Sequence, residues 1–379
     1  MEDIAIVGGG PAGAYLAYCL AKEGIYATVF DDSHPREKPC GGGISSFAIR
    51  KFPILHELPI GKAPGKEIRL ISPNGREAVI RGTEESWAVS RLHLDKFLLE
   101  KAIENGARLI EKRVIDFEKK KHGWILKTKK SFKRTKIIVG ADGANSLVRK
   151  KLIGPIEIEN LGMTYGVFAK GVEEETIIKY IKGIEGYAWI FPREDHSSIG
   201  VGVELKNATL GKLELNRFIK NYAKRAKIMS KWGAIIPLIK HVEFYEKPIA
   251  GKDWILIGDA AGHVDPVTGE GILYAMWSAE LAAKAIANNS PEAFDIMWRR
   301  EYGWNLIEAV RSRSISFNDT FLEISIWLAK RSPTFGKLLY DLTNSDQDYK
   351  TLNKRIIREL PKNTIEIILY YLNKMVKWK

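Results

Sequence analysis

Short apolar runs and helical periodicities alternate along the first third of the chain. Residues 4–7 form an apolar run ending at Gly8, the pattern of a buried parallel strand. Helical spacing over 12–23 follows, with Gly24 placed to cap it, and 27–30 is a second apolar run closed by Asp31 and Asp32. The three together predict a β-α-β unit. Residues 33–50, rich in Pro and Gly, predict a long loop entering a helix. Runs at 68–72 and 77–81 flank Pro73-Asn74-Gly75 and predict a hairpin. A helix over 94–105 closes at Gly106, and 107–139 then predicts an antiparallel meander whose last residues, 137–139, return to the buried-strand pattern. Strands at 164–170, 187–192 and 198–204, with a helix at 214–227, predict a second, sheet-based unit. A strand at 254–257, a Gly-rich turn and a helix at 271–287 follow, and from 291 onward the periodicity is helical.

At 379 residues the chain is long for one hydrophobic core, so two units interleaved in sequence are expected. Its 45% hydrophobic and 28% charged residues describe a folded globular chain. Two Cys exclude a disulfide scaffold and a Cys-rich zinc domain, and the seven His, among them His93, His196 and His263, lack metal spacing. No apolar run reaches the length of a membrane span. Met1 leads straight into a strand without a basic leader, which makes the cytoplasm the expected location. A single Gln, Gln347, among many Lys, Glu and Ile is a bias shared with thermophilic proteins.

The net charge, 59 − 46 = +13, is concentrated in two places. Residues 112–151 carry fourteen Lys/Arg against three Asp/Glu, and 350–379 carry eight against two. These are either solvated basic faces or surfaces for an anionic partner. Nothing in the sequence has the form of a zinc finger, an RNA-recognition signature or a basic recognition helix, so nucleic acid is not an expected partner.

Gly8-Gly9-Gly10-Pro11-Ala12-Gly13 fits G-x-G-x-x-G, follows a strand, opens a helix and has Asp31 eighteen residues beyond Gly13. Gly8 permits the tight turn, Gly10 lets backbone approach a pyrophosphate, and Gly13 lets helix and strand pack closely. The helix N-terminus offers free N–H groups to phosphates. Asp31 is the expected partner of the adenosine ribose hydroxyls, with Asp32 the lesser candidate. The motif alone does not separate FAD from NAD. Two later segments do: Val139-Gly140-Ala141-Asp142-Gly143, with Ser146 and Arg149 after it, and Ile257-Gly258-Asp259-Ala260-Ala261-Gly262, with Gly269, Glu270, Gly271 and Ile272 leading into a helix. Asp259 is placed to hold polyol hydroxyls, and the helix start near Gly271 to stabilise negative charge on a flavin ring.

These segments resemble the aromatic-hydroxylase branch of the glutathione-reductase-type flavoproteins. Lys38-Pro39-Cys40-Gly41-Gly42-Gly43-Ile44-Ser45 and Gly186-Tyr187-Ala188-Trp189-Ile190-Phe191-Pro192 narrow the resemblance to geranylgeranyl reductases over residues 1–290. The resemblance implies an α/β fold: a Rossmann-type FAD-binding domain (1–60, 88–154, 246–295) interleaved with a β-sheet substrate domain (61–87, 155–245), plus a helical C-terminal region (296–379). It implies FAD held by Gly8, Gly10, Pro11, Ala12, Gly13, Asp31 and Asp32, by Cys40, Gly41, Gly42, Arg91 and Val114, by Asp142 and Gly143, and by Gly258, Asp259, Gly269, Gly271 and Ile272. Thr268-Gly269-Glu270-Gly271 has Glu where some members have Gly, which leaves the backbone role intact.

The implied reaction is saturation of isolated double bonds in a prenyl chain, on a substrate such as an archaeal ether lipid, by hydride transfer from reduced flavin. An unactivated alkene offers no carbonyl to polarise, so the protein must align an apolar chain and exclude water. Tyr187, Trp189 and Phe191 alternate onto one strand face and suit such a wall, or equally a core sheet face. Cys40 is either a proton source, because a free thiol ordinarily keeps its proton at neutral pH, or a small buried hydrophobe. Cys19, mid-helix on an apolar stretch, is expected in the core. No second G-x-G-x-x-G occurs, so electrons are expected from transiently bound NAD(P)H or from a ferredoxin-like protein, whose acidity would suit the basic meander. The alternative on this fold is an aromatic or quinone monooxygenase or a halogenase, although the halogenase Trp-x-Trp-x-Ile segment does not occur. Ile365, Ile368, Leu369, Leu372 and Val376 recur at helical spacing beside Lys374, Lys377, Trp378 and Lys379. They make either a stripe packed on the protein or a peripheral contact with an anionic membrane.

Overall fold

The computed structural model describes residues 2–59, 62–172 and 174–376. The chain forms two compact units, each gathered from three stretches.

The first unit comprises Met1–Lys38, Arg91–Gly162 and Ile235–Val310. Strand Glu2–Val7 lies between Ala27–Phe30 and Phe132–Gly140, parallel to both. Trp254–Leu256 joins beyond Phe132–Gly140 and Arg108–Ile110 beyond Ala27–Phe30, again parallel. Ile4, Ala5, Ile6 and Val7 are all buried, as expected of a strand covered on both faces. Helices Pro11–Lys22, Arg91–Glu104 and Ile272–Ala287 belong to this unit, the first packing against the other two. Val114–Lys120 and Gly123–Thr128 form the antiparallel extension that ends in Phe132–Gly140. One expectation is corrected. Residues 108–110 are not the first strand of the meander but a parallel strand of the main sheet. The chain turns out of helix Arg91–Glu104 at Gly106, φ +108°, and returns alongside Ala27–Phe30.

The second unit comprises Pro39–Ser90, Met163–Ala234 and Arg311–Lys379. Its sheet runs in the order Lys227–Pro237, Leu161–Lys170, Ser197–Glu204, Gly186–Pro192, Ile177–Tyr180, Lys62–Ile71, Glu77–Val89, Gly43–Ile44. On one side Val167, Ile177, Ile190, Ile199 and Val201 pack with Leu215 and Phe218 of helix Ala208–Tyr222. Another core joins Ile68, Leu70, Ala78 and Ile80 to Ile326, Phe335 and Tyr340, which lie on helices Asp319–Ala329 and Pro333–Thr343. A Cβ on Gly82 would fall 1.9 Å from the Tyr340 ring, so a bare backbone is needed there.

Three sequence expectations shift here. The helix expected at 214–227 is Ala208–Tyr222, because Gly211, Leu215 and Phe218 supply its buried stripe, and Lys227–Pro237 is a strand. Residues 39–60 group with the second unit, since Gly43 and Ile44 pair with Ala88 and Trp87. The C-terminal helices from Arg311 group there too, because they cover the sheet that would otherwise expose Ile68 and Ile80.

Candidate functional site

In the first unit the glycine turn is built by sterics. A Cβ on Gly8, φ +102°, would sit 2.4 Å from the Ala141 carbonyl oxygen, and one on Gly13 would sit 1.9 Å from the Gly8 oxygen. Both positions therefore serve close packing of the protein on itself. Gly10 differs: a Cβ there would meet nothing within 4 Å. Its bare backbone faces open space at the start of helix Pro11–Lys22, where no side chain caps the free N–H groups and Pro11 occupies the first turn. That is a cradle a diphosphate can fill.

Asp31 closes this turn. Its Oδ2 accepts from the Gly9 amide at 2.7 Å, and its Oδ1 accepts from the Ser33 amide at 2.8 Å and the Ser33 hydroxyl at 2.5 Å. Burial pushes the carboxyl up, but these donors outweigh it and hold Asp31 below its ordinary value. A charged carboxylate with a spare lone pair remains for ribose hydroxyls. Asp32 is exposed.

The Asp142 side chain turns inward. It accepts from Ser146 Oγ at 2.5 Å and from the Leu147 and Val148 amides at 2.7 and 3.2 Å. Burial raises its pKa and these donors do not cancel the rise. Asp142 thus anchors helix Leu147–Leu152 and leaves Gly143, φ +81°, facing open space. Gly258, φ +58°, packs where a Cβ would lie 3.0 Å from Ala12 Cβ, so the second Gly-rich turn abuts the first. The half-buried Asp259 carboxylate has no hydrogen-bond or ion-pair partner among the described residues, and a Cβ on Gly271 would lie 3.5 Å from its Oδ1. Gly271 precedes helix Ile272–Ala287, whose start carries no side-chain cap, and Gly269 turns with φ +73°. An unpartnered carboxylate beside an uncapped helix start fits a polyol and an electron-rich ring together. These residues fit FAD.

Arg91 lies at the start of its helix, buried, forked onto Asp95 at 2.6 and 2.7 Å. Its amide donates to Glu37 at 3.1 Å. Val114 is a buried strand start. Cys19 lies on helix Pro11–Lys22, and burial pushes its thiol up to about 12, so it is no nucleophile.

Arg149 and His263 are buried groups whose roles the sequence left open. Arg149 donates to the Ala260 carbonyl at 3.3 Å and lies 4.6 Å over the Phe244 ring, tying the Asp142 helix to the Asp259 turn. Burial lowers its pKa to about 10, opposed by Glu157. His263 hydrogen-bonds Tyr302 Oη at 2.8 Å and packs 4.6 Å from Trp298. Burial, then Arg149 and Arg299, lower its pKa from 6.5 to about 3. The ring stays neutral when folded and takes a proton when unfolded. Stability is therefore complete above pH 6.5 and is lost as pH falls from there to about 3, at up to about 1.4 kcal/mol per pH unit. His263→Gln is expected to flatten the melting profile across that window; identical slopes in both proteins would remove His263 as the cause.

In the second unit Gly42 turns with φ +82°, where a Cβ would strike the Val89 oxygen at 2.1 Å. This turn presents Cys40 and Gly41 to the aromatic strand Gly186–Pro192. A Cβ on Gly41 would lie 3.0 Å from the Phe191 ring and 3.4 Å from Trp189 Nε1. Tyr187, Trp189 and Phe191 follow one another at ring separations of 5.9 and 6.0 Å, while Ala188 and Ile190 enter the core on the opposite face.

Sequence reasoning missed two residues that hold this loop. Arg193 Nη2 donates to the Cys40 and Gly41 carbonyls at 2.9 and 3.3 Å, and Ser198 Oγ donates to the Cys40 carbonyl at 3.1 Å. Trp189 Nε1 donates in turn to Ser198 Oγ at 3.3 Å. Arg193 is buried over Phe168 at 4.8 Å. No local signal marks either residue, since the carbonyl they hold lies 153 and 158 residues away in sequence.

A family model described as an NAD(P)-binding Rossmann-like domain matches residues 6–60. A geranylgeranyl diphosphate reductase of Rhodobacter capsulatus is 32% identical over 307 residues, 75% of this chain and 74% of that one. A digeranylgeranylglycerophospholipid reductase of Methanosarcina acetivorans is 30% identical over 311 residues, 75% of this chain and 74% of that one. Among solved structures, a geranylgeranyl bacteriochlorophyll reductase-like protein from Thermoplasma acidophilum matches with a TM-score of 0.79 at 21% identity, over 94% of this chain and 98% of that one.

Proposed function

The chain belongs to the geranylgeranyl reductase family of FAD-dependent oxidoreductases, and from that premise we propose that it saturates isolated C=C bonds in the prenyl chains of an isoprenoid ether lipid. The observation that carries this reading is the anchored Cys40 loop packed along Trp189 and Phe191. The relative named for a digeranylgeranylglycerophospholipid supports the substrate class.

Reduced FAD, when held by these residues, would supply hydride chemistry. The residues divide the remaining work. Gly10 and the start of helix Pro11–Lys22 receive the diphosphate, Asp31 the ribose, and Asp259 the polyol chain. Tyr187 and Trp189 lie along the apolar chain and keep water away from it. The Cys40 thiol gives a proton to the second alkene carbon and regains one from solvent, so each double bond gains two hydrogens in total. Arg193 and Ser198 position Cys40 through its carbonyl oxygen. Electrons arrive from NAD(P)H or from a ferredoxin-like protein, the two being separable by which one reduces the oxidised protein on mixing. A lipid substrate also implies contact with a membrane surface.

The test is mass spectrometry of prenyl lipids incubated with chemically reduced protein under argon. Gains of two mass units per double bond are expected. Gains of sixteen in a parallel incubation under air would overturn the reading in favour of a monooxygenase.

A further inference from the structure

The long helix Tyr349–Val376 turns several polar side chains towards the protein while leaving large apolar ones exposed. Asn363 is buried with its side-chain amide 2.7 Å from Ser332 Oγ. Glu366 accepts from Ser332 Oγ at 2.5 Å, from the Thr334 amide at 3.0 Å and from Thr334 Oγ1 at 2.7 Å. Arg355 pairs with Asp341 at 2.8 Å and with Glu359 at 2.9 Å. These contacts claim the inner face. Ile357, Leu360, Ile365, Ile368 and Leu369 lie on the outer face, each between 51% and 72% exposed. At 3.6 residues per turn the five fall within one half of the helix circumference, an arc that Lys354 and Arg358 share.

Helix Asp319–Ala329 also leaves Phe321 and Ile324 exposed. Arg331 stacks at 4.3 Å over Trp327, and at 5.2 and 5.5 Å over Tyr370 and Tyr371, and its Nε donates to Tyr371 Oη at 3.0 Å. Arginine and aromatic rings that join an apolar and a polar side are the residues of a membrane–water boundary. Lys354, Arg358 and Lys362 are exposed on the same helix. Its two acids, Glu359 and Glu366, are turned towards the partners named above. No helix among the described residues is long and apolar enough to cross a membrane. Lys377, Trp378 and Lys379, which the sequence placed in this segment, lie outside the described residues, as do the side chains of Leu372, Lys374 and Val376.

We propose that the outer face of helix Tyr349–Val376, with the Trp327–Arg331–Tyr371 cluster beside it, is the docking surface for an anionic lipid bilayer. This rests on the reading that the substrate is a prenyl lipid. Charge decides between a bilayer and a second copy of the chain. A two-fold contact would bring Lys354, Arg358 and Lys362 against their own copies, whereas lipid phosphates neutralise them. The helix lies in the interface plane, with its apolar stripe among the acyl chains and its cations at headgroup level.

The test uses full-length, FAD-loaded protein and flotation with phosphatidylglycerol-containing or pure phosphatidylcholine vesicles. Wild type is expected to float with the anionic vesicles at low salt and to be released by high salt. The double variant Ile365→Asp, Ile368→Asp changes exposed side chains only, so its melting temperature is expected to hold while its partitioning falls about 10-fold or more. Reduction of a detergent-dispersed prenyl substrate should be unchanged in the variant, while turnover of vesicle-borne substrate falls in step with partitioning. Equal partitioning of the two proteins, or none at low salt, overturns the docking surface. A variant that loses only a dimer, with flotation unchanged, assigns the face to copy–copy contact and also overturns it. Absence of turnover on dispersed substrate by the wild type overturns the reductase reading instead, and leaves the flotation result to stand by itself.

Discussion

Gly10→Asp is expected to leave a folded, colourless apoprotein whose affinity for FAD is lower by about three orders of magnitude. The backbone at Gly10 has φ −70° and ψ −173°, which any residue adopts. A Cβ there meets no protein atom within 4 Å, so the substitution forces no backbone or core shift at its first atom. Asp is also a preferred residue before the first turn of a helix, where its carboxylate can accept from the free N–H groups. The apoprotein should therefore melt at or slightly above the wild-type temperature. The same carboxylate then occupies the space a diphosphate needs. Like charges about 4 Å apart repel by about 4 kcal/mol at an effective dielectric constant of about 20, which is about a thousandfold in affinity. Gly13→Ala is the control with the opposite cause. Its Cβ would lie 1.9 Å from the Gly8 oxygen, so it should lower the melting temperature of the apoprotein itself. Flavin-fluorescence titration and apoprotein melts separate the two. If Gly10→Asp binds FAD within tenfold of wild type, the diphosphate does not sit at this turn.

The contrast between these glycines explains what could be read from the chain. The strand, turn and helix at 2–22 were legible because each glycine answers a local demand: a positive φ at Gly8, a close approach at Gly13. Alternation likewise put Tyr187, Trp189 and Phe191 on one face. What could not be read depends on partners distant in sequence. Arg193 and Ser198 reach the Cys40 carbonyl across 153 and 158 residues, and nothing local marks them as its anchors. Periodicity gave the apolar stripe of the last helix but not its direction. That was settled by Ser332, Thr334 and Asp341, which take the polar face and turn Ile365 and Ile368 outward. The parallel strand Arg108–Ile110 was missed for the same reason, since its partner Ala27–Phe30 lies some eighty residues earlier.

Cys40→Ala is expected to keep FAD and the fold while losing two or more orders of magnitude in alkene reduction, the usual range for removing a general acid, about 10²–10⁴. The loop geometry makes this a clean substitution. Arg193 and Ser198 hold residue 40 by its carbonyl oxygen, and the Val89 amide holds the Gly42 carbonyl at 2.8 Å, none of them through sulfur. The one hydrogen bond lost among the described residues is from the Gly42 amide to Sγ at 3.3 Å, a weak contact at a half-buried residue. Stability should change by no more than about 1 kcal/mol. Arg193→Met makes the informative comparison. It keeps the thiol and releases the carbonyls, so it should lower turnover together with the melting temperature, whereas Cys40→Ala should lower turnover alone. Cys40→Ser keeps a proton on a weaker acid and should fall between wild type and alanine. All three are to be measured with the same chemically reduced enzyme and dispersed substrate, so that neither the electron donor nor membrane partitioning enters the rate. Wild-type turnover in Cys40→Ala would assign the thiol to packing against Gly42, and the proton would then have to reach the alkene from solvent along the Gly41 side of the loop.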